Sequence, residues 1–217
     1  MKYSERATEL ATQQGAQSVG RAAGSASRQA EAAGKTEFGF WVYLMTDCIL
    51  FASLFATFAV LRDSTFGGPT RPEIFSLSFV LLETMILLTS SFVAGLAVLA
   101  ARAGQRTWAL RWLLLAFLLG AAFVALEIHE FAKLASEDHG WRRSAFLSSF
   151  FTLVGTHGLH VTIGLIWAGG LGLTIWKKGL TSLSVKRLTL WAMFWHFLDI
   201  VWIFIFTIVY LMGVAGV

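Results

Sequence analysis

Ionisable side chains inside long apolar segments are the residues of this sequence that could do chemistry. They are three acids and three imidazoles: Asp47, Glu83, Asp199, His157, His160 and His196. A charge at the centre of a bilayer costs at least ~2.5–3.5 kcal/mol, so such a group needs either a partner or a task. A carboxyl group in surroundings of low polarity favours its neutral form and can hold or pass on a proton. These residues therefore predict a membrane protein with a polar interior.

The spacing of the histidines and the acids places several of them on shared helix faces. His157 and His160 are three residues apart, and so are His196 and Asp199. Residues three apart are neighbours on a helix surface, so each pair lies on one side of its helix. At about 1.5 Å per residue, the acids of the first two segments each lie ~14 Å from one end. All these groups could therefore meet near the middle of the membrane.

Five apolar segments must position these groups. Of the 217 residues, 56% are hydrophobic, and the mean hydropathy of +0.67 is far above that of a soluble protein. A spanning helix needs about 20 apolar residues, and its backbone must satisfy its hydrogen bonds internally. We therefore predict an all-α integral membrane bundle of five transmembrane helices, at about 38–61, 74–100, 108–131, 146–176 and 188–212.

The chain before the first apolar segment has a different composition. Residues 1–37 are rich in Ala, Gln, Ser and Gly and carry no apolar core. Such a composition buries too little apolar surface to fold alone. We predict that 1–37 is a polar, mostly disordered tail with weak helicity, and that 38–217 is the membrane domain.

The distribution of basic residues predicts the orientation. Twelve of the seventeen Lys and Arg residues lie in the tail and in the connections after the second and fourth segments. By the positive-inside rule, the N-terminus is cytoplasmic and the C-terminus periplasmic. The pI of about 9.5 follows from this bias, so no nucleic-acid partner is expected. Four tryptophans are expected to line the cytoplasmic interface: Trp108, Trp112, Trp176 and Trp191.

Several roles remain open for the buried polar groups. They could fix helix pairing by bonding one another and nearby Ser, Thr and Trp. Proton handling suits Asp47 and Glu83 best. His157 and His196 could ligate haem or metal, although the Glu-x-x-His spacing of di-iron bundles is absent and Cys48 is the single cysteine. A proton-coupled transporter would show two related halves, and five segments do not divide evenly.

The fourth segment suggests two further features. Its glycines Gly155, Gly158 and Gly164 are expected to let a neighbouring helix approach closely. Its phenylalanines Phe146, Phe150 and Phe151 are expected on an exposed face that contacts lipid or a partner.

Short motifs in the five segments are specific in combination. They read FGFWVYLMTDCILFA, FVLLETMILLTSS, ALEIHEF, GTHGLHVTIGL and WHFLDIVWIFIF, in that order. Over about 38–213 they resemble subunit III of the haem–copper respiratory oxidases, in particular the five-span form of cytochrome bo-type ubiquinol oxidases. Asp47 stands where the seven-span mitochondrial form has a glutamate.

This resemblance implies an accessory subunit in a bacterial inner membrane. Haem b, haem o and copper would lie on subunit I, and this chain would hold no cofactor. The whole complex would oxidise ubiquinol, reduce oxygen to water and pump protons. This chain would contact subunit I, share the complex with subunits II and IV, bind phospholipids and support proton uptake. A proton-coupled transporter and a small membrane haem protein are the alternatives.

The resemblance also implies roles for single residues, none of them catalytic, cofactor-binding or metal-ligating. The buried carboxyl groups of the proton environment would be Asp47, Glu83 and Asp199. The buried polar packing residues would be His157, His160 and His196. An acid pair at the outer end of the third segment would be Glu127 and Glu130.

Overall fold

The structure is a computed structural model that describes residues 2–61, 77–136 and 145–211. Its helices are α1 (Lys2–Leu61), α2 (Leu77–Arg102), α3 (Arg106–Ser136), α4 (Ala145–Lys178) and α5 (Ser182–Ile205), which continues as a π-helical turn (Phe206–Leu211). Among the described residues, five segments are long and apolar enough to cross a membrane: Gly34–Leu61, Ser78–Arg102, Arg106–Lys133, Ala145–Lys178 and Ser182–Leu211. The predicted all-α membrane bundle is confirmed.

Helix α1 begins earlier than the sequence predicted. It starts at Lys2 and not near residue 38. The division into a tail, 1–37, and a membrane domain, 38–217, stays a prediction. Ala, Gln, Glu, Arg and Lys favour helix, and Lys35 pairs with Glu31 at 2.8 Å over one helical turn. The chain divides into two units, Met1–Met45 and Thr46–Val217. The placement of the tail in the cytoplasm stays a prediction.

The other helix ends follow local capping signals. Helix α5 begins at Ser182 and not near 188, because the extended Thr181 caps it: its Oγ1 accepts a hydrogen bond from the Ser184 amide at 3.1 Å. Helix α4 ends before Gly179, whose φ of 79° favours glycine. The loop between the first two spans lies outside the described residues.

Helices α2 to α5 form the closely packed part of the bundle. Helix α2 packs on α3 and α5, and α4 packs on the same two helices. From Asp47 onward, α1 contacts α4 and α5 along one seam of large side chains. Phe51 lies 5.3 Å from His160, and Phe58 lies 6.0 Å from Phe146, measured between ring centroids.

Trp195 of α5 is the centre of the core, and two glycines make room for it. A Cβ atom at Gly120 of α3 would lie 2.7 Å from the Trp195 indole, and one at Gly164 of α4 would lie 2.8 Å from it. The Trp195 Nε1 donates to the Ser90 Oγ at 3.2 Å, and the ring stacks on Trp191 at 5.5 Å. The close approach expected at Gly164 is therefore that of an indole and not of a helix backbone.

The phenylalanines of α4 do not form the predicted exposed face. Phe146 and Phe150 are fully buried, and Phe151 is partly buried. Phe150 packs between Phe131 of α3 at 6.2 Å and Tyr210 of the π-helical turn at 6.0 Å. The prediction was wrong because the first two turns of α4 face the other helices, which a run of apolar residues does not indicate.

Candidate functional site

The structure brings the predicted polar residues together in separate groups and not in one midplane cluster. One group joins α1 to α4, a second joins α2 to α5, and a third joins α2 to α3 beside the π-helical turn. His157 lies apart among aromatic rings. The helices that pack together determine which residues form each group.

Asp47 of α1 faces His160 of α4. The Asp47 Oδ2 lies 3.7 Å from the His160 Nε2, and the two side chains are 9% and 13% exposed. The His160 Nδ1 lies 2.8 Å from the carbonyl oxygen of Thr156, one turn earlier on α4. Because a carbonyl oxygen only accepts, Nδ1 carries a hydrogen.

The Thr156 carbonyl therefore determines that Nε2 is the imidazole nitrogen that faces Asp47. With Nδ1 protonated, Nε2 faces the Asp47 carboxyl group as an acceptor when the imidazole is neutral and as a donor when it is charged. At 3.7 Å the atoms are too far apart for a direct hydrogen bond, so transfer needs a shorter approach or a bridging water.

His196 and Asp199 of α5 meet Ser91 of α2. The Ser91 Oγ lies 2.6 Å from the His196 Nδ1, and the Asp199 carboxyl interacts with the same hydroxyl. Asp199 is buried, but His196 is exposed on the surface of the bundle. The prediction of a buried His196 was therefore wrong. A Cβ atom at Gly95 of α2 would lie 4.0 Å from the His196 Nε2, so this glycine has no side chain to cover the imidazole.

Glu83 joins Glu127 and Glu130 near the end of the bundle where α2 begins and α3 ends. All three are buried, and the three carboxyl groups interact electrostatically with one another. Both oxygens of Glu83 lack a hydrogen-bond partner among the described residues. The Glu127 Oε2 would lie 3.1 Å from a Cβ atom at Gly158, so this glycine accommodates the carboxyl group. Tyr210 lies within electrostatic range of all three acids.

His157 occupies an aromatic cage. Its ring stacks on Trp202 at 5.2 Å and meets Phe123 at 6.1 Å and Phe51 at 6.4 Å, between centroids. It is fully buried, and neither ring nitrogen has a hydrogen-bond partner in the described part of the chain. His196 belongs to the Ser91 group, so the two imidazoles considered as a haem ligand pair have different neighbours. Within 2–61, 77–136 and 145–211, no three His, Cys, Asp or Glu residues are grouped as metal ligands.

Tryptophan was expected among the hydrogen-bonding partners, but which tryptophans are buried was not predicted. Trp191 and Tyr210 are buried, so Trp191 does not belong to the expected interfacial belt. The Trp191 Nε1 donates to the Gly164 carbonyl at 2.9 Å, and the Trp202 Nε1 donates to the Thr84 Oγ1 at 3.1 Å. Their spacing along α5, with Trp195 between them, follows one helix face and could have indicated a buried stripe.

Replacing Trp202 with phenylalanine is expected to lower the free energy of unfolding by about 1 kcal/mol or more. The change removes the hydrogen bond to the buried Thr84 Oγ1 and narrows the surface on which His157 stacks. Thermal unfolding in mild detergent measures the effect. Trp41→Phe is the matched control, because Trp41 is 52% exposed. Equal effects of the two changes would contradict a role for the hydrogen bond.

Membrane-length helices whose buried acids meet imidazoles and hydroxyl groups across helix contacts define a multi-pass membrane protein with a polar interior. The sequence model of the family described as cytochrome c oxidase subunit III matches residues 20–214. The chain belongs to this family. As an oxidase subunit III with helices of this kind, it is a multi-pass protein of the bacterial inner membrane.

Relatives from several bacteria are similar over most of their length. The cytochrome bo(3) ubiquinol oxidase subunit 3 of Pseudomonas aeruginosa is 58% identical over 183 residues, which are 84% of this chain and 88% of that protein. The quinol oxidase subunit 3 of Bacillus subtilis is 46% identical, over 82% of this chain and 87% of that protein. The cytochrome c oxidase subunit 3 of Bacillus sp. (strain PS3) is 44% identical, over 87% and 92%.

Proposed function

We propose that this chain is the accessory subunit III of a cytochrome bo-type ubiquinol oxidase. The observation that carries the proposal is the 58% identity to a ubiquinol oxidase subunit 3, against 44% to a cytochrome c oxidase subunit 3 of similar coverage. The complex would oxidise ubiquinol, reduce oxygen to water and pump protons. The N-terminus would be cytoplasmic and the C-terminus periplasmic.

In this proposal the catalytic groups belong to the partner subunits. Haem b, haem o and copper would lie on subunit I, with subunits II and IV in the same complex. The support is the distribution of the possible ligands: the acids and imidazoles of this chain are divided among separate helix contacts, where they meet each other, Ser91 or aromatic rings. This chain would stabilise subunit I and bind phospholipids.

The Asp47–His160 pair is the part of the chain best suited to support proton uptake. The Thr156 carbonyl orients the imidazole so that its other nitrogen faces the carboxyl group. In this proposal the carboxyl group and the imidazole would pass a proton between them, through a shorter approach or a bridging water. The Glu83, Glu127 and Glu130 group would form a second part of the proton environment, at another place in the bundle.

Purification through a tag on this chain tests the proposed function. In mild detergent we expect recovery with haem-bearing subunits, a haem spectrum, and oxygen consumption driven by ubiquinol without cytochrome c. Oxygen consumption that requires cytochrome c would instead assign the chain to a cytochrome c oxidase. Recovery of a colourless, lone chain, under conditions that keep other respiratory complexes intact, would contradict the accessory role and favour a transporter.

A further inference from the structure

His196 presents an imidazole to the outside of the bundle at the middle of a membrane span. The last span runs from Ser182 to Leu211, 30 residues, so it is about 45 Å long at about 1.5 Å per residue. His196 lies ~21 Å from its start by the same measure. Its side chain is exposed in the described structure. The imidazole is therefore level with the hydrocarbon core and too far from either interface to reach headgroups.

The outer nitrogen of this imidazole has no partner within the described chain. The Nδ1 is bonded to Ser91, and this contact leaves Nε2 pointing away from it. Gly95 of α2 lies beside Nε2, at a position where an added Cβ atom would be 4.0 Å away. Glycine at this position leaves the ring uncovered and would let another helix approach.

The surface around His196 is apolar. Large exposed side chains lie on α5 toward its π-helical end and on the adjoining part of α2: Ile200, Ile203, Phe92 and Leu99. Hydrocarbon chains could cover these side chains, but they offer no hydrogen-bonding group to the imidazole. An unsatisfied polar group in hydrocarbon costs several kcal/mol. Polar residues in spans therefore usually face protein or a water-filled cavity.

We propose that the α2–α5 face centred on His196 is the docking face for a transmembrane helix of the haem-bearing subunit, which presents a hydrogen-bonding side chain to the His196 Nε2. This inference rests on the proposed function and adds which side of the chain meets subunit I. Ser91 fixes the imidazole, Gly95 leaves space beside it, and the surrounding apolar side chains pack on the partner helix. Asp199, bonded to the same hydroxyl, keeps Ser91 in place.

Lipid exposure and helix docking predict different results for His196→Leu. If the face contacts lipid, the substitution leaves the retention of the subunit in the complex unchanged. If the face contacts a partner helix, leucine removes the hydrogen bond, and we expect several-fold less of this subunit to remain with the haem-bearing subunit after a detergent wash. His196→Gln keeps a hydrogen-bonding group and is expected to restore part of the retention.

Two further measurements separate docking from a role inside the chain. Ser91→Ala removes the internal hydrogen bond but leaves the outward imidazole, so its loss of retention should be smaller than that of His196→Leu. A photo-crosslinking residue at Ile200, one turn from His196, should label the haem-bearing subunit, whereas one at Ile166, 72% exposed on α4, should not. Labelling from Ile166 alone, or of a second copy of this chain from Ile200, would overturn the assigned face. Haem recovered with the wild-type chain tests the proposed function, independently of which face of the chain contacts the haem-bearing subunit.

Discussion

Replacing Gly164 with alanine is expected to destabilise the bundle by on the order of 1–3 kcal/mol. The new Cβ atom would lie 2.8 Å from the Trp195 indole, and the indole cannot move away. Its opposite side meets Gly120, its Nε1 donates to Ser90, and its face stacks on Trp191. Thermal unfolding of the purified complex, with the release of this subunit as the readout, measures the loss of stability.

The same helix provides a matched control for this substitution. A Cβ atom added at Gly170 would have no neighbour within 4 Å among the described residues. Gly170→Ala should therefore leave stability unchanged or raise it by up to about 1 kcal/mol through better helix propensity. Adding Trp195→Phe to Gly164→Ala should recover part of the loss, because a smaller ring leaves room for the methyl group. If both glycine changes had the same effect, the steric explanation would be wrong.

Asp47→Asn is expected to leave the complex assembled but to shorten its working life several-fold. Asparagine keeps the size of the side chain and a polar group opposite the His160 Nε2, but it cannot take up or release a proton. Oxygen consumption followed over many turnovers, at several pH values, measures the effect.

Two companion variants separate proton handling from helix pairing at Asp47. Asp47→Glu retains a carboxyl group and should keep more of the sustained turnover than the asparagine variant. Glu37→Gln changes an exposed acid of the same helix and should not reproduce the decline. Unchanged turnover in Asp47→Asn would remove the proton-handling role, and loss of the subunit from the complex would leave helix pairing as the role of Asp47.

The membrane helices could be predicted from the sequence because the bilayer sets the length and the hydropathy that a spanning segment needs. Their ends depend on local chemistry that hydropathy does not report. Thr181 starts α5 earlier than predicted, and helix-favouring residues extend α1 back to Lys2. The positions of Phe146 and Phe150 depend on which helices surround α4. The sequence does not distinguish an apolar side chain that contacts lipid from one that contacts protein.

The candidate site was predictable within each helix but not between helices. His157 and His160 were expected on one face, yet three residues advance a helix by about 300°, which leaves their directions ~60° apart. His160 therefore meets Asp47, and His157 meets Trp202. Glu83 was expected at the depth of Asp47. In the structure Glu83 meets the acids of α3 and not Asp47.

The contact between Asp47 and His160 has a consequence for biogenesis. Helix α1 is synthesised and inserted well before α4, and chains generally fold from the N-terminus during synthesis. Until α4 arrives, Asp47 has no imidazole opposite it, and a carboxyl group alone in hydrocarbon is costly. The first helix therefore enters the membrane with an acid whose imidazole partner is made only three helices later.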